Sequence, residues 1–137
     1  MAATLKLEIV TPDAKVYSDD VEMVTLPGVE GEMGIFPNHV PLMTQIAPGE
    51  IIARKSGQDL FLAIGEGFVE ITGDRVAILA DMAIRAENID ESKAEEARRR
   101  AEARLAEKID DEESAMVQAA LAHSLAQLKV KRRQTGR

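Results

Sequence analysis

The residues that could do chemistry are few, and they are scattered. His39 and His123 are the two histidines of the chain. His39 lies in a loop bounded by Pro37 and Pro41, and His123 in a helical stretch, with no His-Glu-x-x-His pattern or other ligand spacing around either. A structural or solvated imidazole is the simpler reading of both. With no Cys, disulfides and thiolate metal sites are excluded, a usage that fits a reducing cytosol without fixing the compartment. Ser18, Ser56, Ser92, Ser114 and Ser124 fall in turns or helices without a nucleophile-elbow signature. Asp110-Asp111-Glu112-Glu113 lacks the alternating ligand positions and the Gly of a calcium loop, so capping and solubility explain it. Gly65-Glu66-Gly67-Phe68 is followed by no Gly-Lys-Ser/Thr, and reads as a strand corner rather than a phosphate loop. An enzyme on this scaffold is therefore disfavoured, and function is expected in what the chain touches.

The chain changes character at about Glu87. Residues 1–86 carry six Lys/Arg against thirteen Asp/Glu, whereas residues 87–137 carry eleven of each. An acidic body argues against binding a nucleic-acid backbone. Hydrophobic residues make up 45%, enough for a packed core, but aromatics only 3%, so Val, Ile, Leu, Met and Ala must build it. No apolar run approaches the roughly 18 residues of a membrane span. The opening Met-Ala-Ala-Thr-Leu-Lys carries no secretory or transit signature. Any action at a membrane is then expected through another protein.

Before Glu87, short alternating runs are broken by Gly, Pro and Asp. Leu5, Leu7 and Ile9 alternate with Lys6 and Glu8 as a half-buried strand. Lys15–Ser18 reads as a short strand, Ser18-Asp19-Asp20 as a turn, and Val21–Leu26 as a strand with Val21 and Met23 on one face, stopped by Pro27-Gly28. Residues 28–38 hold too many breakers for one regular element, although Val29, Met33, Ile35 and Phe36 lie among them; some of these are expected as core anchors, and an exposed Met33 or Ile35 would mark a partner surface. Further strands are expected at Gly49–Arg54, Leu60–Ile64, Phe68–Thr72 and Arg75–Ala80, with turns at Ser56–Asp59 and Gly73-Asp74. This spacing predicts an antiparallel sandwich or a flattened barrel.

From Asp90 to Gln134 there is no Gly and no Pro. Asp90 is a good N-cap for a first helix, whose stripe runs through Ala94, Ala97, Ala101, Leu105 and Ile109. Asp110 or Asp111 caps a second, with Val117, Leu121, Leu125 and Leu128 as its stripe and Ala120 and Ser124 beside it. A short connection favours an antiparallel hairpin, which small Ala side chains would hold only weakly. Arg98, Arg99, Arg100, Arg104 and Lys108 make the first helix basic on one side, with Glu95–Arg99 and Glu96–Arg100 spaced for weak ion pairs. Lys129, Lys131, Arg132, Arg133 and Arg137 form a basic tail without an acid.

Taken together, the string Val10-Thr11-Pro12-Asp13, Val21-Glu22-Met23-Val24 and Gly31-Glu32-Met33-Gly34-Ile35-Phe36-Pro37-Asn38-His39-Val40-Pro41-Leu42 closely resembles the epsilon subunits of F-type ATP synthases. Gly65-Glu66-Gly67-Phe68-Val69-Glu70, Val76–Asp81 and Ile89-Asp90-Glu91-Ser92-Lys93-Ala94 match in the same register, so the resemblance covers nearly the whole chain. It implies an α+β chain: a flattened antiparallel β-sandwich over residues 1–86, followed by an antiparallel helical hairpin over 87–137.

The resemblance further implies a non-catalytic central-stalk rotor subunit that couples the gamma subunit to the c-subunit ring in a proton-translocating synthase. Such a subunit is peripheral to the cytoplasmic face of a bacterial inner membrane or, alternatively, to the stromal side of a thylakoid. Gly31, Glu32 and His39 become candidates for the c-ring contact. When extended, the hairpin of such subunits enters the alpha/beta hexamer and inhibits ATP hydrolysis; Arg98, Arg99, Arg100, Arg104 and Lys108 are the candidates to meet the beta subunit, joined by the basic tail. No cofactor is required. In some members the folded hairpin binds ATP through an Ile/Leu-Asp-x-x-Arg-Ala motif. Its counterparts here are Ile89, Asp90, Lys93 and Ala94, with Arg85 and Arg100 at further basic positions. Lys93 keeps the charge but loses the planar fork, and Ile84 stands where ATP-binding members carry an acid. The rival of a different class is a free-standing β-sandwich adaptor with a helical interaction arm.

Overall fold

The structure, a computed structural model, describes residues 3–134. Ten strands come first: β1 (Leu5–Val10), β2 (Lys15–Val21), β3 (Met23–Gly28), β4 (Gly31–Ile35), β5 (Leu42–Ile46), β6 (Gly49–Lys55), β7 (Gln58–Ile64), β8 (Gly67–Thr72), β9 (Arg75–Ala80) and β10 (Ala83–Arg85). A single 3-10 turn (Ala86–Asn88) leads to helices α1 (Glu91–Leu105) and α2 (Asp111–Gln134).

The sheet runs β10-β7-β6-β3-β5-β8-β9-β1-β2, with β4 paired to the far edge of β3. Strand β3 is where it divides. Met23–Thr25 pair with β6, while only Gly28 reaches β5, through Ile46. One leaf is thus β10-β7-β6 and the other β5-β8-β9-β1-β2. Their inner faces carry the alternating residues: Leu5, Leu7 and Ile9; Val24 and Leu26; Ile51 and Ala53; Leu62 and Ile64; Val69 and Ile71; Val76 and Ile78, all buried in one core. The outer edges approach each other where Lys55 on β6 binds Asp19 on β2, and where Arg85 Nη2 donates to the Val16 carbonyl at 3.4 Å. The predicted sandwich is therefore close to a flattened barrel. It also contains one parallel pairing, β1 with β9.

Several local expectations are corrected. Ser18-Asp19-Asp20 is not a turn but part of β2, held in register opposite Glu8, Leu7 and Lys6. Its polar side chains suit an edge strand, and the ladder to β1 overrides their turn preference. The break falls at Glu22 instead, so the next strand buries Val24 and Leu26 while Met23 is only half-buried. Strand β3 does end at Pro27-Gly28, and the chain turns there into a hairpin with β4, Leu26 facing Met33 and Gly28 facing Gly31. Gly31 turns this hairpin at φ 135°, a conformation that a side chain would resist. Ile35 is fully buried, so the expectation of a core anchor within this stretch holds. Strand β5 was not expected, because Ile46 is its one buried residue. The Ser56-Gly57 turn has φ of 54° and 74°, the paired positive values of a tight hairpin.

Helix α1 starts where expected: Asp90 Oδ1 accepts from the Lys93 backbone N–H at 3.1 Å. Asp110 caps α2 in the same way through the Glu113 N–H at 2.8 Å. Lys108 and Ile109 lie in the connection beyond α1, not on it. The helices run antiparallel, with Arg132 meeting Glu91 and Glu95 at one end and Arg104 meeting Glu113 at the other. That stripe of α2 continues through Val117, Leu121, Ser124 and Leu128 at helical spacing. Ser124 is buried and donates to the Ala120 carbonyl at 3.1 Å. Leu125 does not belong to the stripe; it is 49% exposed, because a second buried face passes through Ala126 and Val130. That face packs with Ala63, Ala86 and Ile89 in a separate small cluster on the outside of β7. Ala63, Ala86 and Ala126 each contribute little at about 25 cal/mol per Å², and Phe61, Met82 and Ile84 pack partly buried around them.

Candidate functional site

Two outer faces are available, and they are used differently. The outside of β6 and β7 lies under α2. Among the described residues no helix lies over the outside of β5, β8, β9 and β1. Register places Gln45, Phe68, Leu79 and Val10 side by side across those four strands. Met43 lies in the next row, opposite Glu70. Met43, Phe68 and Leu79 are 66%, 52% and 62% exposed. Apolar residues at outward positions of strands are where polar ones are expected, so this row is a candidate interaction surface. The sequence reading missed it. The available signal was the phase: in Phe68–Thr72 and Arg75–Ala80 the buried residues are Val69, Ile71, Val76, Ile78 and Ala80, which leaves Phe68 and Leu79 outward.

The three residues proposed for one contact are separated. Gly31 and Glu32 are exposed at the tip of the β3–β4 hairpin, beside a cleft of 280 Å³ lined by Val29, Glu30, Met33 and Leu42 among others. His39 follows the other end of β4, about 15 Å of strand away. There its Nδ1 lies 2.6 Å from the Val40 carbonyl, and the neighbouring Asn38 N–H donates to Asp74 at 3.0 Å. The structure thus groups Gly31 with Glu32 and places His39 near the β8–β9 turn.

The basic residues of α1 also divide. Arg98 is paired with Glu95 and Glu102, and Arg104 with Glu107 at 2.7 Å and Glu113 at 2.6 Å. The hydrogen bonds that Arg98 and Arg104 donate to these carboxylates hold both guanidinium groups above their ordinary range, and the bond from Arg98 lowers the Glu95 carboxyl. Arg99 is exposed and 3.4 Å from Glu95, as its spacing predicted. Arg100 forms no ion pair among the described residues, with Glu96 or otherwise, and neither does Lys108; both are exposed. The basic tail turns back on the body of the protein. Lys131 donates to the Ala86 carbonyl at 3.1 Å, Arg132 binds Glu91 and Glu95, and Arg133 lies against Glu50. Arg137 is outside the described residues.

Four of the six residues considered for nucleotide contact have structural roles. Arg85 sits 5.1 Å over the Tyr17 ring and donates to Val16. Burial, with the charge of Asp19 behind it, raises the Tyr17 phenol above its ordinary value. Ile89 is buried in the cluster beneath α2, Ala94 is buried on α1, and Asp90 caps that helix. Lys93 and Arg100, seven residues apart, share the solvent face of α1.

His123 was read as structural or solvated. It reaches from α2 to the sandwich, where its Nε2 lies 3.2 Å from Asp81 Oδ1. Among the described residues no group of His, Asp and Glu is placed to hold a metal ion, and no helix is long and apolar enough to cross a membrane.

A two-leaved β body with a helical hairpin laid on one outer face and a bare apolar row on the other defines a two-part interaction module. Comparison with known proteins identifies which one. Residues 4–86 match the model of the ATP synthase delta/epsilon chain beta-sandwich domain, and residues 87–132 that of its long alpha-helix domain. The chain belongs to the ATP synthase delta/epsilon family. It is 45% identical over 129 residues to the ATP synthase epsilon chain of Dehalococcoides mccartyi, covering 93% of this chain and 92% of that one. With the epsilon chain of Laribacter hongkongensis it shares 40% over the same length and coverage. Among solved structures it is similar to a chain of the Euglena gracilis mitochondrial ATP synthase, in the OSCP/F1/c-ring assembly, at a TM-score of 0.77 and 25% identity over 93% of this chain and 80% of that one. A chain of the Tetrahymena thermophila enzyme's central stalk and c-ring shares the fold at a TM-score of 0.62 and 11% identity, covering 97% of each.

Proposed function

We propose that the chain is a non-catalytic rotor subunit of the central stalk, which holds the gamma subunit to the c-ring during ATP synthesis. The observation that carries this reading is the unequal use of the two outer sheet faces. The row Phe68, Leu79 and Val10 is permanently available for a tight grip on gamma. The Gly31–Glu32 tip projects beside that row, where the adjoining Val29 N–H donates to the Gln45 carbonyl at 3.3 Å, and would supply a second contact on the c-ring. The hairpin is the regulatory half: its docking cluster is small and rich in Ala, so two arrangements within a few kcal/mol are physically reasonable. In the extended arrangement Arg99, Arg100 and Lys108 are the first cations available to the beta subunit of the hexamer. Arg98 and Arg104 would have to exchange Glu partners.

The grip needs no cofactor. A nucleotide on the folded hairpin is not part of this reading, since Arg85, Ile89 and Ala94 are committed to Tyr17 and to packing. The bacterial sources of the full-length relatives support a place on the cytoplasmic side of a bacterial plasma membrane, reached through the other subunits.

The test is isolation of the native assembly from membranes with this chain tagged. Recovery together with gamma and the c-ring, lost when Phe68 and Leu79 are both changed to Ser, is the result expected. Recovery as a free monomer would overturn the reading in favour of an independent adaptor.

A further inference from the structure

Glu50 is a carboxylate that the docked hairpin covers. It points outward from β6, opposite Ala63 of β7, whose side chain belongs to the cluster beneath Ala126 and Val130. Its side chain is only 5% exposed. Oε2 lies 2.9 Å from Arg133 Nε, in the last turn of α2, yet among the described residues no donor is aligned to hydrogen-bond it. The pair is therefore charge-compensated but incompletely bonded. Arg133 itself is half exposed, while its neighbours are engaged elsewhere, Lys131 on Ala86 and Arg132 on Glu91 and Glu95.

The consequence follows from desolvation. With the hairpin lifted, an outward Glu on a strand is hydrated. When α2 lies over it, that water is lost, and a carboxylate without its counter-charge would oppose docking strongly. We propose that Glu50 and Arg133 form a conditional latch on the hairpin: Glu50 favours release, and Arg133 in place cancels that preference. The latch deepens the regulatory reading above and rests on it. Its mark is asymmetry. Removing the cation alone leaves a buried, unpaired charge, whereas removing the carboxylate alone, or both charges together, does not. A pair that merely added one surface contact would lose similar amounts from either side.

The experiment is hydrogen exchange on the full chain, comparing α2 amides with those of β8 and β9. Arg133→Gln is expected to accelerate α2 exchange by at least about tenfold. Glu50→Gln should change it by less than about threefold, and the double substitution Glu50→Met with Arg133→Met should return α2 to the wild-type rate or slower. Equal acceleration by the two single substitutions, or no effect of Arg133→Gln, would overturn the latch alone. Exchange of α2 and of the β8–β9 strands at one common rate in every variant would remove the movable hairpin, and the latch with it.

Discussion

His123 on α2 meets Asp81 of the sandwich at 3.2 Å across a notch that only Gly65 leaves open. A Cβ at Gly65 would collide with Asp81 Oδ1 and come within 2.8 Å of His123 Nε2. The corner between β7 and β8 is thus shaped to admit a side chain from the hairpin. Glu66, at the same corner, and Asp81 line the 300 Å³ cleft in which His123 sits, together with Pro48 and Ala119. Docking is therefore anchored near the middle of α2 as well as at its end.

Gly65→Ala separates these anchors. Both atoms in the way are the ends of flexible side chains, so they can swing aside and leave the strands intact. The expected result is a loss of the His123–Asp81 contact, worth roughly 0.2–1 kcal/mol for a partly exposed pair. Amides around Ala122–Ala126 should then exchange about two- to fivefold faster, with the thermal midpoint of the sandwich unchanged. Unaltered exchange there would show that the contact does not hold the hairpin. By contrast a Cβ at Gly67 would meet the backbone of Leu79 and Ala80, which cannot swing aside, so this second glycine is a requirement of the sheet itself.

The two halves of the chain were legible to different depths. Strands with strict alternation, such as Leu5–Val10 and Arg75–Ala80, could be read because one face is buried and the other is wet. Strands β4 and β5 could not. Gly31, Glu32 and Gly34 carry no inward hydrophobe, and Leu42 and Met43 remain exposed, so pairing with β3 and β8 defines those strands rather than their own pattern. Asp90 and Asp110 were readable as caps because capping is local. Glu50 was not readable as a docking residue, because its burial is decided by a helix more than sixty residues later. The outward Phe68 and Leu79 were hidden for a related reason: their exposure is a matter of phase, and the phase is fixed only when Val69 and Ile78 are known to face inward. The exclusion of His39 from the Gly31–Glu32 tip needed the strand β4 that the glycines concealed.

Acid should loosen both halves through particular carboxylates. The hydrogen bond from Lys55 holds Asp19 below its ordinary value of 3.8, and that from Arg98 holds Glu95 below its ordinary 4.5. A carboxylate depressed in the folded state adds stability above its unfolded value, and that stability is lost as pH falls through the folded value. The contribution is therefore present at neutral pH and disappears below about pH 4. Thermal midpoints measured from pH 7 to pH 3 should fall less steeply in Asp19→Asn, where the pair joining β2 to β6 is already gone. Glu95→Gln should flatten the same curve for α-helical signal. Curves parallel to wild type in both variants would remove these pairs from the acid response.

The apolar row makes the opposite kind of prediction, a change in association without a change in stability. Leu79 is outward and 62% exposed, with Phe68 and Val10 opposite it on the neighbouring strands. Replacing it with Glu removes little buried area and disturbs no core contact, so folding stability should move by no more than about 0.5 kcal/mol. In a complex that buries the row, the same carboxylate would be stripped of water among Phe68 and Val10, a far larger penalty. Leu79→Glu should therefore keep the wild-type melting temperature and lose at least about tenfold in affinity for gamma. Leu125→Glu, on the exposed side of α2, is the matched control and should lose none if docked α2 stands clear of gamma. Titration of each variant against purified gamma separates the cases: equal affinity for both would move the grip off this face of the sheet, whereas a loss confined to Leu79→Glu would assign the bare row to gamma.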